Sequence, residues 1–214
     1  FDAQGDPIQN AFTVNPSPEG TQVQPVVGIG PSGEGVVIYE DSPTEGNYSL
    51  TARPINADGP SGDSFTLLAL AGVDCVKPAI AIGPGGRTAY AGNMGPQIQL
   101  FTVPSTSEPQ PRSKWYQTFG DFALPAITFL GDDEALAMAS LRNIAGGGQS
   151  SVRVEIIDYD SVTTTSSVLL GDDPNLPPYA PSIGYGAGTL AIAWTQRTED
   201  GFEVHLSTFK GNPR

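Results

Sequence analysis

The chain has one histidine, one cysteine and few charged residues, and each scarcity excludes a class of function. A single cysteine, Cys75, excludes a disulfide within the chain and most cysteine-based metal sites. A single histidine, His205, leaves little room for a hydrolytic triad, in which a base must lie beside a nucleophile. No apolar run reaches the roughly 20 residues of a membrane-spanning helix, so we expect no membrane span.

Positive charge is scarce as well. Lys and Arg number 10 against 23 Asp and Glu, which gives a formal net charge of −13, although only 15% of the 214 residues are charged. Because phosphate backbones attract basic surfaces, we expect no nucleic-acid partner. A lightly charged surface rich in Ser and Thr is common in secreted and surface proteins, and it predicts an extracellular or cell-surface location.

What the chain does contain is glycine and proline, 26 and 20 residues, which separate short apolar segments. Four stretches share one frame: a proline, a few apolar residues, a turn with Gly or Asp, and a second apolar run. The prolines of this frame are Pro25, Pro78, Pro125 and Pro181, spaced by 53, 47 and 56 residues. This spacing is near the blade length of a β-propeller, and each full repeat offers four β segments.

We therefore predict an all-β fold, a single β-propeller domain over residues 1–214 with four blades of four antiparallel strands. The repeats lie near residues 22–68, 75–118, 122–169 and 179–209. The last repeat lacks one outer strand and the chain begins partway through a repeat, so residues 8–14 are predicted to complete the last blade and close the ring. Two alternatives stay open: a fragment of a longer propeller, and head-to-tail self-assembly by strand exchange through residues 8–14.

The beginning of the chain carries a more specific pattern. It reads Phe1-Asp2-Ala3-Gln4-Gly5-Asp6-Pro7, then Phe12-Thr13-Val14-Asn15, then Gln22-Val23-Gln24-Pro25, then Val36-Val37-Ile38-Tyr39. This pattern resembles the tandem FDxxGxPxxxxFxVN…QxxPxV repeats of large bacterial secreted and cell-surface proteins. The resemblance implies a propeller-like extracellular module for binding or adhesion, and it brings no catalytic residues to carry over.

A candidate binding face follows from the predicted topology, because the loops after the second strand of each blade lie on one face of a propeller. The polar residues there are Glu40, Asp41, Asn93, Arg142, Gln196 and Arg197. Such a mixed polar ring suits a carbohydrate or a peptide. Trp115 could add an aromatic ring that stacks on a sugar or anchors a protein.

Paired carboxylates in a predicted turn offer the one candidate metal site. Asp172 and Asp173 could give Ca²⁺ the oxygen ligands that it prefers. Against this, Asp is favoured in turns for its own backbone hydrogen bonds. Calcium is the one cofactor that we consider.

The motifs of common enzymes are missing. The chain has no G-x-S-x-G elbow, no P-loop and no H-E-x-x-H sequence, and His205 alternates with Val204 and Leu206 as on an outer strand. We therefore predict a non-catalytic extracellular or cell-surface module for protein binding, adhesion or assembly. A carbohydrate-binding, lectin-like propeller is the alternative. A glycoside hydrolase, which would need two facing carboxylates, is the third hypothesis.

Overall fold

The computed structural model describes residues 11–42, 47–95, 97–103, 112–116, 124–131, 135–142, 151–171, 178–198 and 200–210. In this part of the chain, sixteen strands form four antiparallel sheets, which confirms the predicted all-β fold. We call the sheets blades 1 to 4 in chain order. Within the described ranges, no helix has the length and apolar character needed to cross a membrane.

Each blade is an antiparallel sheet whose first three strands pair in chain order. The strands of blade 1 are β1 (Thr21–Ile29), β2 (Gly35–Ser42), β3 (Ser49–Asn56), β4 (Gly59–Pro60) and β5 (Phe65–Leu68). Those of blade 2 are β6 (Cys75–Ile82), β7 (Thr88–Met94), β8 (Gln97–Val103) and β9 (Arg112–Tyr116). Those of blade 3 are β10 (Ala126–Leu130), β11 (Ala135–Arg142), β12 (Ser151–Asp158) and β13 (Thr163–Leu170). Blade 4 contains β14 (Pro178–Gly186), β15 (Thr189–Thr198) and β16 (Gly201–Lys210).

A proline at the head of the repeat frame predicts that the first strand begins there, but in blades 1, 2 and 4 the frame proline lies inside the first strand. At Pro25, Pro78 and Pro181 the pairing with the second strand shifts register. Proline has no backbone N–H to give to a ladder, and a β-bulge leaves its position unpaired. The residue before each of these prolines has a positive φ, namely 51° at Gln24, 58° at Lys77 and 42° at Ala180.

The core lies between neighbouring blades. We call the side of a blade that points to the next blade in the chain its leading face, and the opposite side its trailing face. Because side chains alternate across a strand, one strand supplies both faces. Ile38 and Leu50 on the leading face of blade 1, for example, share a buried cluster with Tyr90 and Phe101 of blade 2.

The other two junctions are built in the same way. Leu100 of blade 2 clusters with Ile127 and Met138 of blade 3. Val154 of blade 3 clusters with Ile192 of blade 4, together with other apolar residues. Since fully burying a Val, Leu or Ile side chain is worth about 1.5–3 kcal/mol, these junctions hold the blades together.

The four blades form an open row. Strands β1, β2 and β3 contact β6, strand β10 contacts β6 and β7, and β14 contacts β10, β11 and β12. Among the described strands, blade 4 makes no comparable packing with blade 1. The predicted four-blade architecture is therefore confirmed, whereas the predicted closure of the ring is not found in the described part of the chain.

Only residues 11–14 of the segment predicted to complete the last blade are described, so its pairing with blade 4 stays a prediction. Residues 11–14 belong to no strand, and residues 8–10 lie outside the described residues. Val14 packs on the cluster of Val37, Tyr39 and Ile55 on the trailing face of blade 1. The Arg53 guanidinium also donates a hydrogen bond to the Val14 carbonyl oxygen. An apolar face and a charged donor thus hold this segment on blade 1.

A buried tyrosine links blades 2 and 3. The Tyr159 hydroxyl lies 3.2 Å from the Thr88 carbonyl oxygen and is also within hydrogen-bonding distance of the Val103 carbonyl oxygen. The Arg87 guanidinium carbon lies 4.9 Å from the centre of the Tyr159 ring. Burial raises the pKa of Tyr159 to about 12, and the Arg87 charge only partly opposes this.

The raised pKa of Tyr159 predicts alkaline destabilisation. An unfolded tyrosine loses its proton near pH 10, whereas Tyr159 in the folded protein keeps it to about pH 12. Between these values the unfolded state binds fewer protons, so the free energy of unfolding should fall as pH rises from about 10 to about 12. In urea titrations at several pH values, Tyr159→Phe should show a shallower fall than the wild type in that interval. An equal fall in both proteins would contradict the assignment, and equal slopes between pH 7 and 9 serve as the control.

Candidate functional site

The residues of the predicted binding face occupy corresponding places in the four blades. Each lies at or near the C-terminal end of a second strand: Glu40 and Asp41 in β2, Asn93 in β7, Arg142 in β11, and Gln196 and Arg197 in β15. The antiparallel pairing brings the start of the third strand beside each of these ends, as for Asp41 and Ser49. We call this end of the row the loop end.

Three of these residues are buried in the fold and not presented to solvent. Glu40, Asn93 and Gln196 are each at most 6% exposed. The Glu40 Oε1 atom accepts a hydrogen bond of 2.8 Å from the backbone N–H of Lys77, the residue in the bulge of β6. The Gln196 Oε1 atom lies 3.4 Å from the Trp194 Nε1 donor. Glu40 thus connects blade 1 to blade 2, and Gln196 supports the core of blade 4.

Asp41 and Arg197 do reach solvent at the loop end. Asp41 is half-buried and Arg197 is exposed. The Asp41 carboxylate accepts hydrogen bonds from Gln22 Nε2 at 3.0 Å and from Thr51 Oγ1 at 3.4 Å. Asp41 also contributes, after burial, to a raised pKa of the neighbouring Tyr39. At the loop end, blade 1 thus offers a hydrogen-bonded carboxylate, and blade 4 separately offers an exposed guanidinium.

The remaining predicted site residues cannot be placed in full. Arg142 and Trp115 lie in β11 and β9, but their side chains are outside the described residues. Asp172 and Asp173 are outside them entirely. Among the residues that the structure covers, no group of three His, Cys, Asp or Glu side chains could hold a metal ion. Calcium at Asp172 and Asp173 therefore stays a prediction.

The Glu40 contact gives a testable difference between two substitutions. Glu40→Ala removes the acceptor and leaves the Lys77 N–H without it in a buried setting, which should cost about 1–3 kcal/mol of the free energy of unfolding. Glu40→Gln keeps an acceptor oxygen and should cost clearly less. Chemical denaturation of the three proteins measures both values. Equal losses in the two variants would show that the carboxylate acts in another way.

His205 lies on the outer strand β16, as predicted, and its ring packs on a neighbouring strand of the same blade. It stacks on the Trp194 ring with 5.5 Å between the ring centres and 19° between the planes. The His205 Nε2 atom lies 3.5 Å from a Glu203 carboxylate oxygen. The histidine is therefore a partly exposed residue of blade 4 that covers the Trp194 ring.

The most exposed apolar surface among the described residues is the leading face of blade 4, which was not predicted from the sequence. Phe202, Val204 and Leu206 are 68%, 80% and 67% exposed. They pair with Arg197, Thr195 and Ala193, so all six side chains lie on one side of the sheet. Tyr179 adds an edge-to-face contact with Phe202, 6.0 Å between ring centres. The alternation of residues in β16 indicated a strand with two faces. Because the ring was expected to close, both faces were expected to be covered.

The trailing face of blade 1 is the second exposed apolar surface. Val27 and Ile29 of β1 are each more than half exposed. Beside them is a cavity of about 220 Å³, lined by Val14, Asn15, Gln22, Val23, Pro25, Val37 and Tyr39. The row of blades thus ends in an apolar face on either side.

Comparisons with known proteins show likeness in fold only. No protein-family model and no curated protein matches the sequence. The Trypanosoma rangeli sialidase in complex with sialic acid superposes with a TM-score of 0.58 at 9% identity, covering 91% of this chain and 37% of the sialidase. The acylaminoacyl peptidase of Pyrococcus horikoshii gives 0.53 at 11% identity, covering 88% of this chain and 32% of the peptidase.

A smaller solved structure matches over more of its own length. The exo-1,5-alpha-L-arabinanase from a bovine ruminal metagenomic library gives a TM-score of 0.51 at 11% identity, covering 83% of this chain and 70% of the arabinanase. The chain spans only about a third of the length of the sialidase and the peptidase. At these identities the likeness carries no functional residue from one protein to another. What it establishes is the architecture: the chain is similar to β-propeller proteins and is built from propeller blades.

Proposed function

We propose that this chain is a non-catalytic interaction module that binds protein through the apolar end faces of its row of blades. The observation that carries the proposal is the exposure of Phe202, Val204 and Leu206 side by side on one sheet face. Soluble monomeric proteins rarely expose a large contiguous apolar patch, and such patches mark interaction sites. A flat apolar face suits another protein surface better than a small polar ligand.

The loop end supports the same choice. The polar groups of Glu40 and Gln196 contact other residues inside the fold, so they are poorly placed to bind a ligand. The carbohydrate-binding alternative has support from Asp41 and Arg197, which reach solvent at that end. Glycoside hydrolysis has support only from a fold shared with sialidases and an arabinanase at about 10% identity.

An extracellular or cell-surface location is part of this proposal. Its support is the acidic, lightly charged composition and the resemblance of Phe1–Pro7 and Phe12–Asn15 to repeats of secreted and cell-surface proteins. A module with these properties would act in adhesion or assembly.

A dye-binding experiment tests the proposed surface. Anilinonaphthalene sulfonate fluoresces on exposed apolar patches, so at low protein concentration it should bind the wild type. The double variant Val204→Thr, Leu206→Thr should bind less dye, because threonine keeps the strand propensity and removes apolar surface. Leu70→Thr is the control, since Leu70 is an exposed leucine away from this face.

Two further assays separate the alternatives. A glycan array should give no binding, and sialosides and arabinan should not be hydrolysed. Dye binding that is unchanged in the double variant would remove the basis of the proposal. Specific glycan binding lost in Asp41→Ala or Arg197→Ala would favour the carbohydrate-binding alternative instead.

A further inference from the structure

We propose that the leading face of blade 4 binds the trailing face of blade 1 in a second copy of this chain. Blade 4 of one copy would then pack on blade 1 of the next copy in the same way as neighbouring blades pack within one chain. This inference rests on the proposed function, because it names the partner of the same apolar faces. It differs from strand exchange, since no strand leaves its own sheet.

The first step is the register that the four blades share. The first residue pair after the frame proline joins strands one and two in every blade: Val26 with Ile38, Ala79 with Ala91, Ala126 with Ala139, and Ser182 with Ala193. The third strand meets these pairs at Ala52, Leu100, Val154 and Leu206. Two residues earlier on the third strand lie Leu50, Ile98, Val152 and Val204. Because paired residues share a face, all of these positions belong to leading faces.

The second step is what covers those positions. In blades 1 to 3, the third-strand residues at both positions are at most 3% exposed, since the next blade packs on them. Val204 and Leu206 hold the same positions in blade 4 and are mostly exposed. The exposed leading face of blade 4 therefore corresponds to the faces of blades 1, 2 and 3 on which the next blade packs.

The third step is the matching surface on blade 1. Val27 corresponds to Ile80, Ile127 and Ile183, and Ile29 corresponds to Ile82, Phe129 and Tyr185. Most of these counterparts belong to the buried clusters between blades, Ile127 and Phe129 most completely. Val27 and Ile29 are more than half exposed. Among the described residues, blade 4 therefore has an uncovered leading face, and blade 1 has a trailing face that is uncovered at Val27 and Ile29, beside the part that Val14 covers. The two uncovered surfaces are complementary in kind.

Polar groups agree with this pairing. Arg197 lies on the leading face of blade 4 and Asp41 on the trailing face of blade 1, both at the loop end, so opposite charges would meet. Thr195 holds the position that Glu40 has in blade 1.

The occupant that we propose is a second copy, because each uncovered face has the register of a face that packs against a whole blade. No stretch outside the described residues exceeds ten residues, whereas the strands of blade 1 alone extend from Thr21 to Leu68. The contact joins two different faces, so it is heterologous. Copies joined in this way form a closed ring if their rotation closes, and a filament if it does not.

The test measures mass by light scattering from about 1 μM to about 500 μM. We expect the mass of the wild type to rise from that of one chain to that of two or more chains as the protein concentration rises. Val204→Arg on the leading face and Val27→Arg on the trailing face should each raise the apparent dissociation constant at least about a hundredfold, because an unpaired charge would be buried. Leu70→Arg is the matched surface control and should associate like the wild type. Unchanged melting temperatures would show that the variants are folded.

Mixing the two variants distinguishes head-to-tail contact from a symmetric one. The Val204→Arg protein keeps an intact trailing face and the Val27→Arg protein keeps an intact leading face. An equal mixture should therefore form a species of two chains, although each variant alone stays single. A mixture that remains single would overturn the proposal, as would association that neither variant weakens. A wild type that stays single at every concentration would also overturn it, yet loss of dye binding in the threonine variant would then still support the proposed function.

Discussion

Leu100→Ala should lower the free energy of unfolding by about 2–5 kcal/mol, whereas Leu206→Ala should change it by less than about 0.5 kcal/mol. The two leucines hold the same position in blades 2 and 4. Leu100 has no exposed surface because blade 3 covers it, so its truncation leaves a cavity as well as losing apolar contact. Leu206 is already in water for most of its surface. Guanidinium denaturation of single chains at low concentration measures both values.

This pair of variants also isolates the role of the neighbouring blade, because residue type, strand and register are held constant. A loss at Leu206 as large as that at Leu100 would mean that another part of the same chain covers blade 4. That result would restore the predicted closure of the ring. In the assembled protein, Leu206→Ala should weaken association and leave the single chain as stable as before.

Gly35→Ala should destabilise the protein by about 3 kcal/mol. Gly35 begins β2, where the backbone passes very close to β1. A Cβ atom there would collide with the Gly28 carbonyl oxygen and lie 2.6 Å from the Ile29 Cδ1 atom. A carbonyl cannot rotate away as a flexible side chain can, so the pairing of β1 with β2 would have to shift. The midpoint and slope of urea unfolding, with circular dichroism as the signal, measure the loss.

Gly184→Ala is the matched control for this substitution. Gly184 also lies in a strand, β14, and an added Cβ atom there would meet no atom within 4 Å. Its free energy of unfolding should stay within about 0.5 kcal/mol of the wild type. If Gly35→Ala were equally mild, the close approach of β1 to β2 would be wrong.

The repeat frame allowed most of the fold to be predicted. Apolar runs on either side of Gly-rich turns gave the strands, and the spacing of the frame prolines gave the number of blades. The bulges were not predicted, because a proline inside a strand pattern reads equally as the start of a strand. The predicted closure is not found among the described residues. It depends on long-range contacts that local sequence patterns do not determine, such as those of Val14 with Val37, Tyr39 and Ile55 of blade 1.

The candidate site was predicted in position but not in accessibility. Topology alone places Glu40, Asn93 and Gln196 at the ends of second strands. Whether a polar side chain there turns to solvent or into a junction depends on its neighbours, and for Glu40 the deciding neighbour is the Lys77 amide on another blade. The exposure of Val204 and Leu206 was not predicted, because apolar residues at these positions of a strand normally indicate burial against a neighbouring blade.

The bulges of the first strands have a consequence for the solubility of an open row. The first strand of a blade has its sheet on one side only, and a regular free edge could recruit strands from other chains into fibrils. In β1, β6 and β14 that edge is broken by a proline without an N–H and by a neighbour in left-handed backbone geometry. Contact along the edges is thereby discouraged, while contact through the faces stays open, which would let copies associate in an ordered way without precipitating.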